Sequence, residues 1–145
     1  MWNITSLPDG PVFTTSLVKR EERGMSSYRV SQGRGRTKVK LLAHYVGSNL
    51  VVYIYNENAH LGAVAVGDYD HEEKRASSSV ITLRGHRDDE IAKKQAHLIA
   101  RHTKKPVCVI AGIHLDDITQ DEIVKILGEV DKMVLRFLDR IPAPQ

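Results

Sequence analysis

One cysteine, Cys108, stands in the whole sequence. No internal disulfide can form, so the fold must rest on its own core, and the scarcity points to a reducing, cytosolic setting. Neither a paired CxxC nor an HExxH motif is present to signal zinc. A Gly-x-Ser-x-Gly elbow is also missing, and Cys108 sits in an apolar strand pattern that reads as an inert buried thiol. Nucleophilic catalysis therefore has little support. Aromatic residues make up only 6% of the chain and the basic residues are dispersed, so no stacking platform or basic stripe for nucleic acid is apparent. No apolar run is long enough to span a membrane. Met1-Trp2-Asn3-Ile4-Thr5 lacks the basic-then-apolar layout of a secretory signal. The net charge of +3 permits an anionic ligand without demanding one.

What is present is an ordinary globular composition, 41% hydrophobic over 145 residues, enough for one domain, residues 1–145, with a real core. A turn at Pro8-Asp9-Gly10-Pro11 leads into an expected strand over 12–19. A short strand follows at 28–31, then the loop Gln32-Gly33-Arg34-Gly35-Arg36, whose arginines read as solvated surface more than as a phosphate site. Residues 37–46 and 50–56 alternate as strands and flank Gly47-Ser48-Asn49, which predicts an antiparallel hairpin. Val39, Leu41, Ala43 and Tyr45 share one face of the first strand; Lys38, Lys40, Leu42 and His44 share the other. The small apolar stretch 60–67 fits a central strand. Residues 68–76 are charged and read as a mobile loop, ahead of a strand at 80–83. A helix is expected from Asp88 to His102 or Thr103, stopped by Lys104-Lys105-Pro106, with His97 on its solvent side. Val107 to Ala111 reads as a buried strand. Thr119 and Glu122 form a capping-box pattern before a long amphipathic helix whose stripe runs from Ile123 to Leu138. That stripe faces either the core or a second subunit. The expected class is α+β: a mostly antiparallel sheet layer with two helices in the C-terminal half.

One phrase occurs twice, Gly85-His86-Arg87-Asp88-Asp89 and Gly112-Ile113-His114-Leu115-Asp116-Asp117. Each copy follows a β-branched run and precedes a helical pattern. If the two turns are neighbours, they bring imidazoles, carboxylates and two helix N-termini together. Helix N-termini suit phosphate, and imidazole with carboxylate suits a divalent metal. Backbone capping explains His86 and His114 about as well, and helix starts favour aspartate on their own account. His60 stands at the mouth of its strand. The Ser77-Ser78-Ser79 hydroxyls suit phosphate, although a solvated loop explains them equally.

Three segments carry a family resemblance: Ala59-His60-Leu61-Gly62-Ala63-Val64-Ala65, Ile81-Thr82-Leu83-Arg84-Gly85-His86-Arg87-Asp88-Asp89 and Val109-Ile110-Ala111-Gly112-Ile113-His114-Leu115-Asp116. In order and spacing they resemble the LpdD-like proteins, regarded as chaperones for prenylated flavin mononucleotide, the cofactor of UbiD-type aromatic-acid decarboxylases. Residues 91–117 also look like part of the proteasome-assembly-chaperone fold, which commonly pairs as a dimer. The resemblance implies a cytoplasmic, non-catalytic flavoprotein that binds, protects and delivers prenylated FMN to a UbiD-type decarboxylase and assists its maturation, with a flavin prenyltransferase as a further partner and a homodimer as the assembly. Together with the residue readings above, it gives the candidate cofactor contacts His60, Leu61, Gly62, Ser78, Ser79, Gly85, His86, Asp88, Gly112 and His114. His86, His114 and Asp116 are the candidate metal ligands, and the Leu61–Val66 strand or a dimer partner would cover the ring. The departure from the family pattern is the charged insert 68–76. Two alternatives stay open on the sequence: a metal-dependent enzyme acting on a small phosphorylated substrate, and a structural subunit of a decarboxylase complex.

Overall fold

The alternating segments Val39–Val46 and Asn49–Tyr55 form adjacent antiparallel strands of one sheet. The computed structural model describes residues 27–83 and 87–142; the turn over 8–11, the strand expected over 12–19, and the site candidates Gly85 and His86 lie outside the described residues. The strands, in chain order, are β1 (Ser27–Gln32), β2 (Val39–Val46), β3 (Asn49–Tyr55), β4 (Ala63–Asp70), β5 (Arg75–Thr82) and β6 (Val107–Gly112). The helices are α1 (Asp88–Thr103) and α2 (Gln120–Leu138), and a 3-10 turn spans Gly35–Thr37. The strands form one sheet in the order β1-β2-β3-β6-β4-β5. Every neighbouring pair is antiparallel except β3 with β6. This is the α+β layer that the residue pattern predicts.

The β2–β3 hairpin closes through Gly47 and Ser48, with Val46 paired to Asn49. Gly47 takes a φ of 61°, which is open to glycine at no steric cost. The second hairpin corrects the sequence reading. Residues 68–76 are the end of β4, a tight turn and the start of β5, not a mobile loop. Their charges stand on strands exposed at the edge of the described sheet, where alternation is not enforced by burial. The turn is tied by Asp70, whose carboxylate accepts from the Glu72 and Glu73 backbone N–H groups at 2.9 and 3.0 Å. Those bonds hold the Asp70 carboxyl below its usual range.

Both helices lie on one face of the sheet. α1 packs on β4, β5 and β6, and α2 packs on β1 and β2. The row Val30, Leu41, Ile54, Ala111, Ala63 runs across five strands beneath them and is buried throughout. The α2 stripe is core: Ile126, Val130, Met133, Val134, Phe137 and Leu138 are all buried in this chain. Its capping box forms as the Thr119/Glu122 spacing predicts. α1 likewise starts and stops where Asp88 and Lys104-Lys105-Pro106 indicate, with Lys104 in the left-handed conformation. Its buried stripe is Ile91, Ala92, Gln95, Ala96, Ile99 and Ala100, while Leu98 and His102 are only half-buried and His97 is exposed.

The opposite face is different. Leu42, Tyr53, Ile110, Val64 and Ile81 pair in register across five strands, and among the described residues no helix covers them. Ile81 and Val66 are strongly exposed, at 73% and 53%. Cys108 points to this face and is half-buried, not sealed in the core; partial burial pushes its thiol pKa up.

Candidate functional site

The topology decides where chemistry can collect. β5, α1 and β6 form a crossover in which β5 and β6 run the same way with β4 between them, and β6 is parallel to β3. The C-terminal ends of β3, β5 and β6 therefore open on one edge of the sheet, the edge where α/β sheets bind ligands. Three segments lie at that edge: 56–62 with His60, 113–119 with His114, and the start of α1 at Asp88.

Asp88 joins the three segments. It is the first residue of α1 and is 5% exposed, which for a carboxyl group demands partners. It does not cap its own helix. Its Oδ1 accepts from the Ile113 backbone N–H at 3.0 Å, and its Oδ2 lies 3.2 Å from His60 Nε2. The His60 and His114 rings meet edge to face with centroids 6.0 Å apart. Two glycines make the junction possible. A Cβ on Gly62 would overlap the Asp88 carboxyl group, and a Cβ on Gly112 would overlap the backbone carbonyl of His60. The Gly62 and Gly112 positions in the two motifs are thus requirements of close packing.

The His114 segment is held from its other side by residues that the sequence does not mark. Asn56, 4% exposed, donates from Nδ2 to the His114 carbonyl at 2.8 Å and accepts at Oδ1 from the His114 N–H at 3.2 Å. Asn58 donates to the same carbonyl at 3.4 Å. Arg36 donates to the Asp116 carbonyl at 2.8 Å and to Glu122 Oε1 at 2.9 Å. The arginine of the glycine-rich loop is therefore a clamp on the site loop, neither idle surface nor a phosphate holder. Arg36, followed by the Thr119 backbone bond, depresses the Glu122 carboxyl pKa; the same contact raises that of the Arg36 guanidinium.

Other expectations change. Asp116 and Asp117 precede the α2 cap instead of opening the helix, and Asp117 takes a φ of 51°. The N-terminus of α2 is filled by its own capping box, with Glu122 Oε2 accepting from the Thr119 N–H, so it does not offer the phosphate seat expected of it. The first turn of α1 carries Asp88, Asp89 and Glu90, which disfavours an anion there. Ser78 and Ser79 lie within β5, paired with Gly67 and Val66, several residues down the strand from the histidine corner. They do not join it. Leu61 does lie beside it, 52% exposed. His114 Nε2 pairs with Asp116 Oδ1 at 2.9 Å on the surface. Among the described residues no three His, Cys, Asp or Glu side chains converge as a metal set, and His86, the third expected ligand, lies outside them. His44 and His71 carry no motif; His44 stacks on Tyr53, and His71 meets Tyr69 edge to face.

Beside His60 the uncovered sheet face dips into a cavity of about 260 Å³, lined by Leu42, Tyr53, Tyr55, Ala59, His60 and Ile110 among others. An apolar floor thus ends at a wall formed by the His60 imidazole, which is itself in contact with Asp88 and His114. Residues 33–142, which include this floor and wall, match the family described as the prenylated flavin chaperone LpdD-like domain. The chain belongs to that family. No curated protein matches the sequence. Among solved structures, a chain from the crystal structure of a novel chaperone complex for yeast 20S proteasome assembly is similar in fold. Its TM-score is 0.57 at 13% identity, over 79% of this chain and 95% of that one. At that identity the likeness supports the sheet-and-two-helix architecture and nothing about ligands.

Proposed function

We propose that this protein binds prenylated FMN, shields it, and delivers it to a UbiD-type decarboxylase. The observation that carries the reading is the His60–Asp88–His114 corner, set at the C-terminal ends of parallel strands and opening onto an apolar sheet face, in a chain of the prenylated flavin chaperone family. The cavity, about 260 Å³, falls below the range of roughly 300–1,000 Å³ usual for enclosing ligand sites. A shallow seat of this kind suits a carrier, which must release what it holds. The chain is read as one domain that works as a homodimer. Val66 and Ile81 leave apolar area exposed farther along the same sheet face, and a second copy laid over that face would exclude water from it. A divalent ion at His86, His114 and Asp116 is a subsidiary part of the proposal, checked by whether a chelator changes cofactor affinity. The flavin prenyltransferase enters as the source of the cargo.

The test of the central reading is the double substitution His60→Ala, His114→Ala. Both side chains reach solvent, at 24% and 53%, so the fold should persist. Anaerobic titration with prenylated FMN should show at least roughly tenfold weaker binding than the native chain, the loss expected when charge-assisted or aromatic contacts worth about 1.5–3 kcal/mol are removed. Unchanged affinity in a folded double variant would remove the corner from the site.

A further inference from the structure

The sheet face that α1 and α2 leave uncovered has a direction to it. Its apolar row, Leu42, Tyr53, Ile110, Val64 and Ile81, is in register, and a depression lies at the end nearest His60. There two tyrosine rings, Leu42 and Ile110 form the floor. The His60 ring forms the wall, aligned by Asp88 on one side and by the His114 ring on the other. A planar ligand on this floor would contact carbon along its face and meet hydrogen-bonding atoms at one edge only.

Two other cavities among the described residues do not offer that combination. One, about 370 Å³, is polar and runs past Arg36, Lys38, Glu57 and Asn58, and Arg36 is already committed to Glu122 and the Asp116 carbonyl. The other, about 180 Å³, lies at the far end of β2 and β3, between Tyr45, Ser48, Lys105 and Pro106, away from every histidine of the corner.

An isoalloxazine with an added prenyl ring has this same asymmetry. One end is hydrocarbon and the other is a pyrimidine edge rich in donors and acceptors. We infer that the floor of Leu42, Tyr53, Tyr55 and Ile110 takes the fused ring system of the prenylated flavin, with its pyrimidine edge toward His60 and its hydrocarbon end down the apolar row. The inference rests on the flavin-carrier reading and sharpens it. It moves the ring from the Leu61–Val66 strand to β2, β3 and β6, and leaves the ribityl phosphate outside the cavity. Aromatic faces supply stacking that any planar ring system can use.

The experiment is anaerobic calorimetric titration of the full chain with prenylated FMN made by a flavin prenyltransferase. The variants are Leu42→Glu, Tyr53→Leu and, as a control on the outer side of α2, Leu135→Glu, whose side chain is 54% exposed. Circular dichroism and thermal melting report folding for each. Leu42→Glu should weaken binding at least tenfold and Tyr53→Leu several-fold, with Leu135→Glu unchanged. Tyr53→Leu keeps an apolar strand residue, so it carries the test should Leu42→Glu fail to fold. If floor variants bind as the native chain does, or lose no more than Leu135→Glu, while His60→Ala, His114→Ala weakens binding, the ring placement is overturned and the carrier reading stands. If the native chain does not bind prenylated FMN at all, both fall.

Discussion

The side-chain amide of Asn56 holds the backbone of His114 at both ends, donating to its carbonyl at 2.8 Å and accepting from its N–H at 3.2 Å. A buried amide used in this way fixes the loop, and with it the ring that His114 presents to His60. Asn56→Ala leaves the two backbone groups without these partners. The expected cost is about 1–3 kcal/mol of stability, the penalty for unsatisfied buried polar groups, measured by urea unfolding. Binding of prenylated FMN should weaken as well, because the loop loses its fixed position.

Gly62→Ala and Gly128→Ala should have opposite signs. At Gly62 the new methyl group overlaps Asp88 and must displace it from His60 and from the Ile113 N–H. Overpacking of that kind costs about 1–3 kcal/mol, and the broken carboxyl contacts add to it. At Gly128, inside α2, a Cβ meets nothing within 4 Å, so alanine should stabilise by about 0.5–1 kcal/mol through helix propensity. Paired thermal melts of the two variants check both.

How much of this was legible in the sequence follows from which constraints are local. The β2–β3 hairpin, the limits of α1 and the Thr119 capping box are set by neighbours in the chain, and periodicity with cap residues reveals them. The β4–β5 hairpin was hidden because its residues 68–76 sit on an exposed edge, where charge replaces alternation. In the site, His60, Gly62, Asp88, Gly112 and His114 were marked by their motifs, and they do come together. Ser78 and Ser79 were marked by type alone, and strand pairing carries them away. Asn56 and Arg36 gave no signal: an asparagine after a strand and an arginine among glycines acquire roles only from loops that fold back onto them. The floor residues were hidden for a similar reason. Leu42, Tyr53 and Ile110 are far apart in sequence, and register alone joins them.

Acid should loosen the site loop before the core. Glu122 is held below the ordinary glutamate pKa, first by Arg36 and then by Thr119. A carboxylate with a folded pKa below its unfolded value, about 4.3, contributes stability that is fully present above that value. The contribution is lost as pH falls through the folded pKa. Asp70 acts in the same direction at the β4–β5 turn. Glu122→Gln should therefore flatten the acid limb of the stability profile below about pH 4 while leaving its shape near neutrality unchanged. Denaturant midpoints across that range measure it.

The carrier reading is tested most directly by the cargo itself. The protein should be purified anaerobically from cells that also make a flavin prenyltransferase, then examined by absorbance and native mass spectrometry. The account predicts a coloured protein whose mass exceeds that of the chain by one prenylated FMN per subunit, in a dimer, and that loses the colour when mixed with an apo-decarboxylase of the UbiD type. A colourless protein of bare mass, recovered beside an active prenyltransferase, would contradict it.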